Sequence, residues 1–66
     1  MMTTNMITAD QRIELALRGF AAYIEIESQT GANIKFRIRL GGEAGPTCIK
    51  IHKSHPSIPF LEVLAA

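Results

Sequence analysis

The stretch that decides the fold of this chain is residues 34–40, IKFRIRL. Apolar and cationic side chains alternate strictly along it, in the order Ile34, Lys35, Phe36, Arg37, Ile38, Arg39, Leu40. An alternation with a period of two indicates a strand with one buried face and one face in water. Because a slip of one residue would turn the cations toward the core, the pattern also specifies which face is buried.

A second alternating run lies just before it at residues 22–27, AYIEIE. The segment between the two runs, residues 29–33 (QTGAN), has the composition of a turn, so the two runs are predicted to form a β-hairpin. The predicted register pairs apolar residues with each other and acids with bases: Ile26 with Phe36, Ile24 with Ile38, Glu27 with Lys35, and Glu25 with Arg37. This agreement between hydrophobic and charge pairing favours the hairpin.

A third strand is predicted at residues 47–53, TCIKIHK, after a connector rich in glycine. Its isoleucines are expected to face the core, and the register we predict pairs Ile38 with Ile49 and Phe36 with Ile51. On the outer face this register brings basic side chains together: Arg37 beside Lys50, and Lys35 beside His52.

A helix is predicted before the strands, over residues 9–19. Thr8 and Gln11 have the spacing of a capping box. Gly19 is interpreted as the helix stop, the alternative being a glycine tolerated within a longer helix. The side chains expected to face the core are Ile13, Ala16, Leu17 and Phe20. Arg12 falls outside this face and is expected in water, as are Glu14 and Arg18, which can pair one turn apart.

A short second helix is predicted after the strands, with Ser57 as its cap and Pro59 in its first turn. The side chains expected to face the sheet are Ile58, Leu61, and either Leu64 or Ala65. The predicted fold class is therefore α+β, in the order α-β-β-β-α: a three-stranded antiparallel meander with both helices packed on one face. We expect a flexible arm over residues 1–7 and a single domain over residues 8–66.

Composition narrows the possible classes of protein. A chain of 66 residues that is 47% hydrophobic has material for one small core without a metal or a cross-link. Its single cysteine, Cys48, cannot form an internal disulfide, and no signal peptide is recognisable, so a cytoplasmic location is expected. No apolar stretch approaches the roughly 20 residues of a membrane span. The net charge of +1 is too small for the long-range attraction of a dedicated nucleic-acid binder.

The outer face of the predicted sheet is the candidate binding surface. Its basic residues, together with one that follows the third strand, are the candidate partner-binding residues: Lys35, Arg37, Arg39, Lys50, His52 and Lys53. Such a surface could bind an acidic protein surface or a phosphate backbone. The alternative is an ordinary solvated face whose charges neutralise one another and discourage unwanted strand pairing.

The sequence gives little support for catalysis or for metal binding. Cys48 and His52 lie about 13 Å apart along a strand, too far for a nucleophile and its base. His52 and His55 could supply two metal ligands, but a zinc site needs three or four. We therefore expect no enzymatic activity, no metal and no cofactor.

The leading hypothesis is a small binding or regulatory protein that acts by occupying the surface of a protein partner, as short accessory, inhibitor-like or mobile-element reading frames often do. The alternative is a small nucleic-acid-binding module that uses the same basic face. Double-stranded RNA-binding domains are similar in their order of elements, but their lysine cluster at the second helix has no counterpart at residues 57–62, SIPFLE. We expect a monomer or a small homo-oligomer.

Overall fold

The computed structural model describes residues 7–66 and confirms the predicted fold class. Its elements follow one another in the order α1 (Ala9–Leu17), β1 (Ala21–Thr30), β2 (Asn33–Leu40), β3 (Thr47–His52) and α2 (Ile58–Ala65). The strands form one antiparallel sheet in the order β1-β2-β3. The predicted N-terminal arm lies outside the described residues except for Ile7. Within residues 7–66, neither helix is long and apolar enough to cross a bilayer.

The core lies between one face of the sheet and the two helices. The helices contribute four buried apolar residues, Ile13, Ala16, Ile58 and Leu61. The sheet contributes the remainder: Ile34, Phe36, Ile38, Leu40, Ile49 and Ile51. Every apolar residue of the alternating stretch is therefore buried as predicted, and the opposite face of the sheet is left uncovered by the helices.

The start and the end of α1 follow local rules. The capping box is present: the Gln11 amide donates to the Thr8 hydroxyl at 3.1 Å, and the Thr8 amide donates to the Gln11 side chain at 2.9 Å. The helix ends at Leu17, two residues earlier than predicted, because Gly19 adopts a left-handed conformation with φ +96°. The amides of Gly19 and Phe20 then bond back to the helix, the double closure of a Schellman motif.

The buried face of α1 differs from the predicted one, because Arg12, Ile13 and Ala16 form it. Leu17, at the edge of this face, is 40% exposed, and Phe20, beyond the turn at Gly19, is 58% exposed, although both were predicted to face the core. Arg12, predicted to lie in water, is only 5% exposed. Its guanidinium can be buried because it forms a bidentate ion pair with Glu43 in the connector between β2 and β3.

The predicted pairing of β1 with β2 is correct up to Ile26 and wrong after it. Ile24 lies opposite Ile38, Ile26 opposite Phe36, and Glu25 opposite Arg37. A β-bulge then places an extra residue in β1, so that Ser28 and not Glu27 lies opposite Lys35. A second irregularity lies between Ala21 and Tyr23 and leaves Ala22, predicted to face inward, exposed.

The predicted register of β3 on β2 is wrong by two residues. Phe36 lies opposite Ile49, and Ile34 lies opposite Ile51. The shift keeps every side chain on its predicted face, because side chains alternate with a period of two. It arises because the connector folds back on the end of β2: the Glu43 carboxylate accepts a hydrogen bond from the Leu40 amide at 2.8 Å.

The start of α2 is as predicted, but its capping is not. Ser57 occupies the cap position, but its side chain accepts no cap bond. Its backbone amide donates to Nδ1 of His55 at 3.1 Å. Ile58 and Leu61 are buried as predicted. Of the two alternatives for the last contact, Ala65 is half-buried and packs on the core, while Leu64 is 45% exposed.

Candidate functional site

The face of the sheet that the helices leave uncovered, here called the open face, carries its side chains in rows across the three strands. Each row takes one residue from β1, one from β2 and one from β3. The observed registers give the rows Glu25-Arg37-Cys48, Ser28-Lys35-Lys50 and Thr30-Asn33-His52. The open face therefore has an ion-paired part around Arg37 and a cationic part beyond the bulge.

In the ion-paired part, Arg37 lies between two carboxylates. Its guanidinium nitrogens lie 3.5 Å from Glu25 and 3.6 Å from Glu27, and its side chain is 39% exposed. The Cys48 thiol also donates to Glu27, at 2.9 Å. This thiol hydrogen bond is the main reason that the pKa of Glu27 lies below its ordinary value, and the charges of Arg37 and Lys35 add to the effect.

Arg39, at the far end of the ion-paired part, is also engaged within the chain. Its guanidinium donates to the backbone carbonyl of Glu43 at 3.1 Å, and the residue is half-buried. The sequence grouped Arg37 and Arg39 with the lysines as one binding surface. Both arginines already have partners in the free chain, which reduces what they offer to a ligand.

In the cationic part, the register brings together two lysines that the sequence placed apart. Lys35 lies directly opposite Lys50, where the predicted neighbours were Glu27 on one side and His52 on the other. Within residues 7–66, no carboxylate lies within 4.0 Å of either ammonium group. The predicted pairs Lys35 with Glu27, Lys35 with His52 and Arg37 with Lys50 are therefore wrong.

The two lysines line an open depression of about 240 Å³. Its other lining residues are polar and uncharged: Ser28, Thr30 and Asn33. Sequence reasoning missed these three, because it assigned the end of β1 to a turn and could not locate the bulge. The bulge changes the outward-facing residues of β1 from odd-numbered to even-numbered positions. Had it been known, Ser28 and Thr30 would have been identified as outward-facing.

The last two predicted residues flank the depression. His52 lies in the next row opposite Asn33, and its Nδ1 atom is 2.8 Å from the Ser54 hydroxyl. Lys53 follows the strand, and its amide donates to the carbonyl of Ala32 at 2.7 Å, which ties the end of β3 to the hairpin turn. The structure thus gathers Lys35, Lys50 and His52 at one end of the open face and separates them from the arginines.

A second exposed surface, which the sequence did not predict, lies on α2. Phe60 and Val63 are 63% and 74% exposed, and Leu64 lies beside them on the same outer side of the helix. Leu64 also lines an open, mainly apolar depression of about 260 Å³ with residues from the end of α1 and the start of β1, among them Ala16, Ala21 and Tyr23. The available signal was the composition of Ile58–Ala65, in which Glu62 is the only charged residue.

Residues 7–66 contain no group of three or more histidine, cysteine, aspartate or glutamate side chains arranged to hold a metal ion. No protein family, curated protein or solved structure matches the chain. The fold and its surfaces define a small α+β domain with two exposed features on opposite sides of the sheet: a cationic depression and an apolar helix face.

Proposed function

We propose that this chain is a non-enzymatic binding protein that occupies the surface of a protein partner, and that the outer face of α2 enters an apolar groove of that partner. The observation that carries the proposal is the exposure of Phe60 and Val63 on a helix whose opposite face already packs on the core. A helix that is apolar on all sides is typical of one that is buried on all sides.

The spacing of the exposed residues supports this mode of binding. Phe60, Val63 and Leu64 stand at positions i, i+3 and i+4, the pattern by which one helix face fills a groove in another protein. Burying one such side chain contributes about 1.5–3 kcal/mol, and aromatic anchors are frequent among the residues that dominate an interface. The depression behind Leu64 extends the apolar surface from α2 toward Tyr23.

The basic residues have a secondary role in this proposal. Arg37 and Arg39, which the sequence favoured as central contacts, would have to give up ion pairs and hydrogen bonds within the chain before they could serve a partner. The helix face has no such competing interaction, since its apolar side chains gain from any burial. The first contacts to test are therefore on α2.

Affinity capture from the native host tests the proposal. We expect a protein partner that survives nuclease treatment and is lost from Phe60→Glu/Val63→Glu, while Arg37→Glu/Arg39→Glu retains it. A matched control is Gln29→Glu/Ala44→Glu, which adds the same two negative charges at exposed positions outside α2. Retention of every partner by the Phe60/Val63 variant would exclude this surface. A purified wild-type dimer that the same variant dissociates would identify the occupant as a second copy of the chain.

Nucleic-acid binding is the second candidate, and the opposed lysines are the observation that favours it. It is the weaker candidate because Tyr23, the one aromatic side chain that the described residues place on the open face, stands at the other end from Lys35 and Lys50. Binding to phosphates would weaken steeply with added salt and would be lost from Lys35→Glu/Lys50→Glu. Captured partners that disappear with nuclease would favour this candidate over a protein partner.

A further inference from the structure

We propose that the depression between Lys35 and Lys50 binds the phosphate group of a small phosphorylated molecule. This inference goes beyond the proposed function, because the depression lies on the open face and α2 lies on the other side of the sheet. It rests on three features: two unpaired like charges, a polar lining, and a bulge that keeps Glu27 out of the position opposite Lys35.

The first feature is electrostatic. Lys35 and Lys50 lie directly opposite each other on adjacent strands, where side chains start about 5 Å apart and like charges repel. Within the described part of the chain, neither has an ion-pair partner. An anion placed between the two ammonium groups converts this repulsion into two attractive interactions.

The second feature is the chemistry of the lining. The hydroxyls of Ser28 and Thr30 and the amide of Asn33 can all donate hydrogen bonds. A phosphate group offers several acceptor oxygens and up to two negative charges, which suits two lysines and three neutral donors better than a single chloride does. The depression of about 240 Å³ is below the roughly 300–1,000 Å³ of pockets that hold drug-sized ligands, so it fits one small anionic group.

The third feature is the bulge after Ile26. Without it, Glu27 would lie opposite Lys35 and neutralise the site. With it, Ser28 takes that position, and the Glu27 carboxylate is held by the Cys48 thiol and Arg37. The charge of Glu27 still attracts Lys35, but the carboxylate does not line the depression.

The turn at the end of the hairpin keeps the lining in place. Gly31 has φ +59° at the first position of a two-residue turn, so Thr30 and Asn33 pair directly across the hairpin. The hydrogen bond from the Lys53 amide to the Ala32 carbonyl then fixes β3 against the same turn. The donors of Thr30 and Asn33 therefore lie at a hairpin end that backbone hydrogen bonds hold in place.

Titration of the full chain with inorganic phosphate, followed by amide chemical shifts at constant ionic strength, tests the site. We expect saturable shifts confined to Ser28, Thr30, Asn33, Lys35 and Lys50. Lys35→Gln and Lys50→Gln should each weaken binding at least about tenfold, because each removes a charged donor. Arg18→Gln is the matched control: it removes one exposed positive charge on α1 and should leave the affinity unchanged.

A second titration with a nucleoside monophosphate distinguishes a phosphate ester from free phosphate. Tighter binding of the ester, at the same residues, supports a phosphorylated molecule as the ligand, whereas equal or weaker binding of the ester would overturn that identification. Shifts of equal size with chloride, or binding seen only with an oligonucleotide, would overturn it. Phe60→Glu/Val63→Glu should bind phosphate normally, so failure of the partner proposal and failure of this site can be told apart.

Discussion

The guanidinium of Arg12 donates to both carboxylate oxygens of Glu43, over 2.7 and 2.8 Å, and so ties the first helix to the connector between β2 and β3. The Arg12 side chain is almost fully buried, whereas that of Glu43 is 26% exposed. The same carboxylate accepts a hydrogen bond from the Leu40 amide, and the Arg12 guanidinium also donates to the Ile38 carbonyl at 3.4 Å. The pair therefore sets the end of β2 and the path of the connector.

Replacing Glu43 should destabilise the chain more than replacing Arg12. Glu43→Ala leaves a buried guanidinium without its carboxylate, whereas Arg12→Leu puts an apolar side chain in the buried position and leaves Glu43 partly in water. Urea denaturation measures both losses in the free energy of unfolding. Glu14→Ala is the control, because its ion pair with Arg18 is exposed and contributes at most about 0.5 kcal/mol. A greater loss from Arg12→Leu than from Glu43→Ala would contradict this account.

Stability should fall in acid because of Glu43. The hydrogen bonds from Arg12 and Leu40 lower the pKa of Glu43 from 4.5 to about 2. The folded chain binds a proton at Glu43 less tightly than the unfolded chain does. The stabilising contribution of the Glu43 carboxylate is therefore complete above pH 4.5 and is lost as the pH falls toward about 2. We expect the difference in unfolding free energy between wild type and Glu43→Gln to shrink steadily across this window. A difference that stays constant would assign the stability to other groups.

Gly19→Ala should lower the free energy of unfolding by about 1–2 kcal/mol, because φ at this position is +96° and an L side chain is strained there. Among residues 7–66, no atom beyond the adjacent residues would lie within 4 Å of the added Cβ, so the loss would come from the backbone alone. Gly45→Ala is the matched control, since its site is equally open and needs no positive φ. Equal effects of the two substitutions on thermal unfolding would show that the helix stop does not need glycine.

Lys50→Glu should stabilise the free chain by a few tenths of a kcal/mol, because it replaces a repulsive pair with an attractive one across from Lys35. Raising the salt concentration should reduce the gain, since both side chains face water. Thermal unfolding at low and high salt measures it. Lys53→Glu is the comparison, because Lys53 follows β3 and has no cross-strand lysine; an equal gain there would indicate a general charge effect.

Much of the fold could be predicted from short-range patterns. The alternation in residues 34–40 identified the buried face of β2, and the spacing of Thr8 and Gln11 located the start of α1. The hairpin register up to Ile26 was also predictable, because apolar and charged pairs agreed on it. The helix start depends on residues that are close in sequence. The buried face and the register depend on an alternation with a period of two, in which an error of one residue would turn charged side chains toward the core.

The candidate site was predictable only in part. Lys35 and Lys50 were named because they occupy outward-facing positions of their strands. That they lie directly opposite each other depends on the two-residue register shift of β3, which does not change the face on which any side chain lies. Residues 27–30 of β1 are all polar, so nothing in their pattern shows which of them faces outward after the bulge. Ser28, Thr30 and Asn33 were therefore missed, and Glu27 was placed opposite Lys35.

The sequence by itself determined the element types, their order and the buried faces of β2 and β3, because apolar periodicity, caps and turn residues are local properties. Only the tertiary structure decided the bulge after Ile26, the offset of β3 and the burial of Arg12. Each of these depends on a partner that is distant in sequence, as Glu43 is from Arg12. A local sequence pattern does not identify such a distant partner, because the two residues come together only when the chain folds.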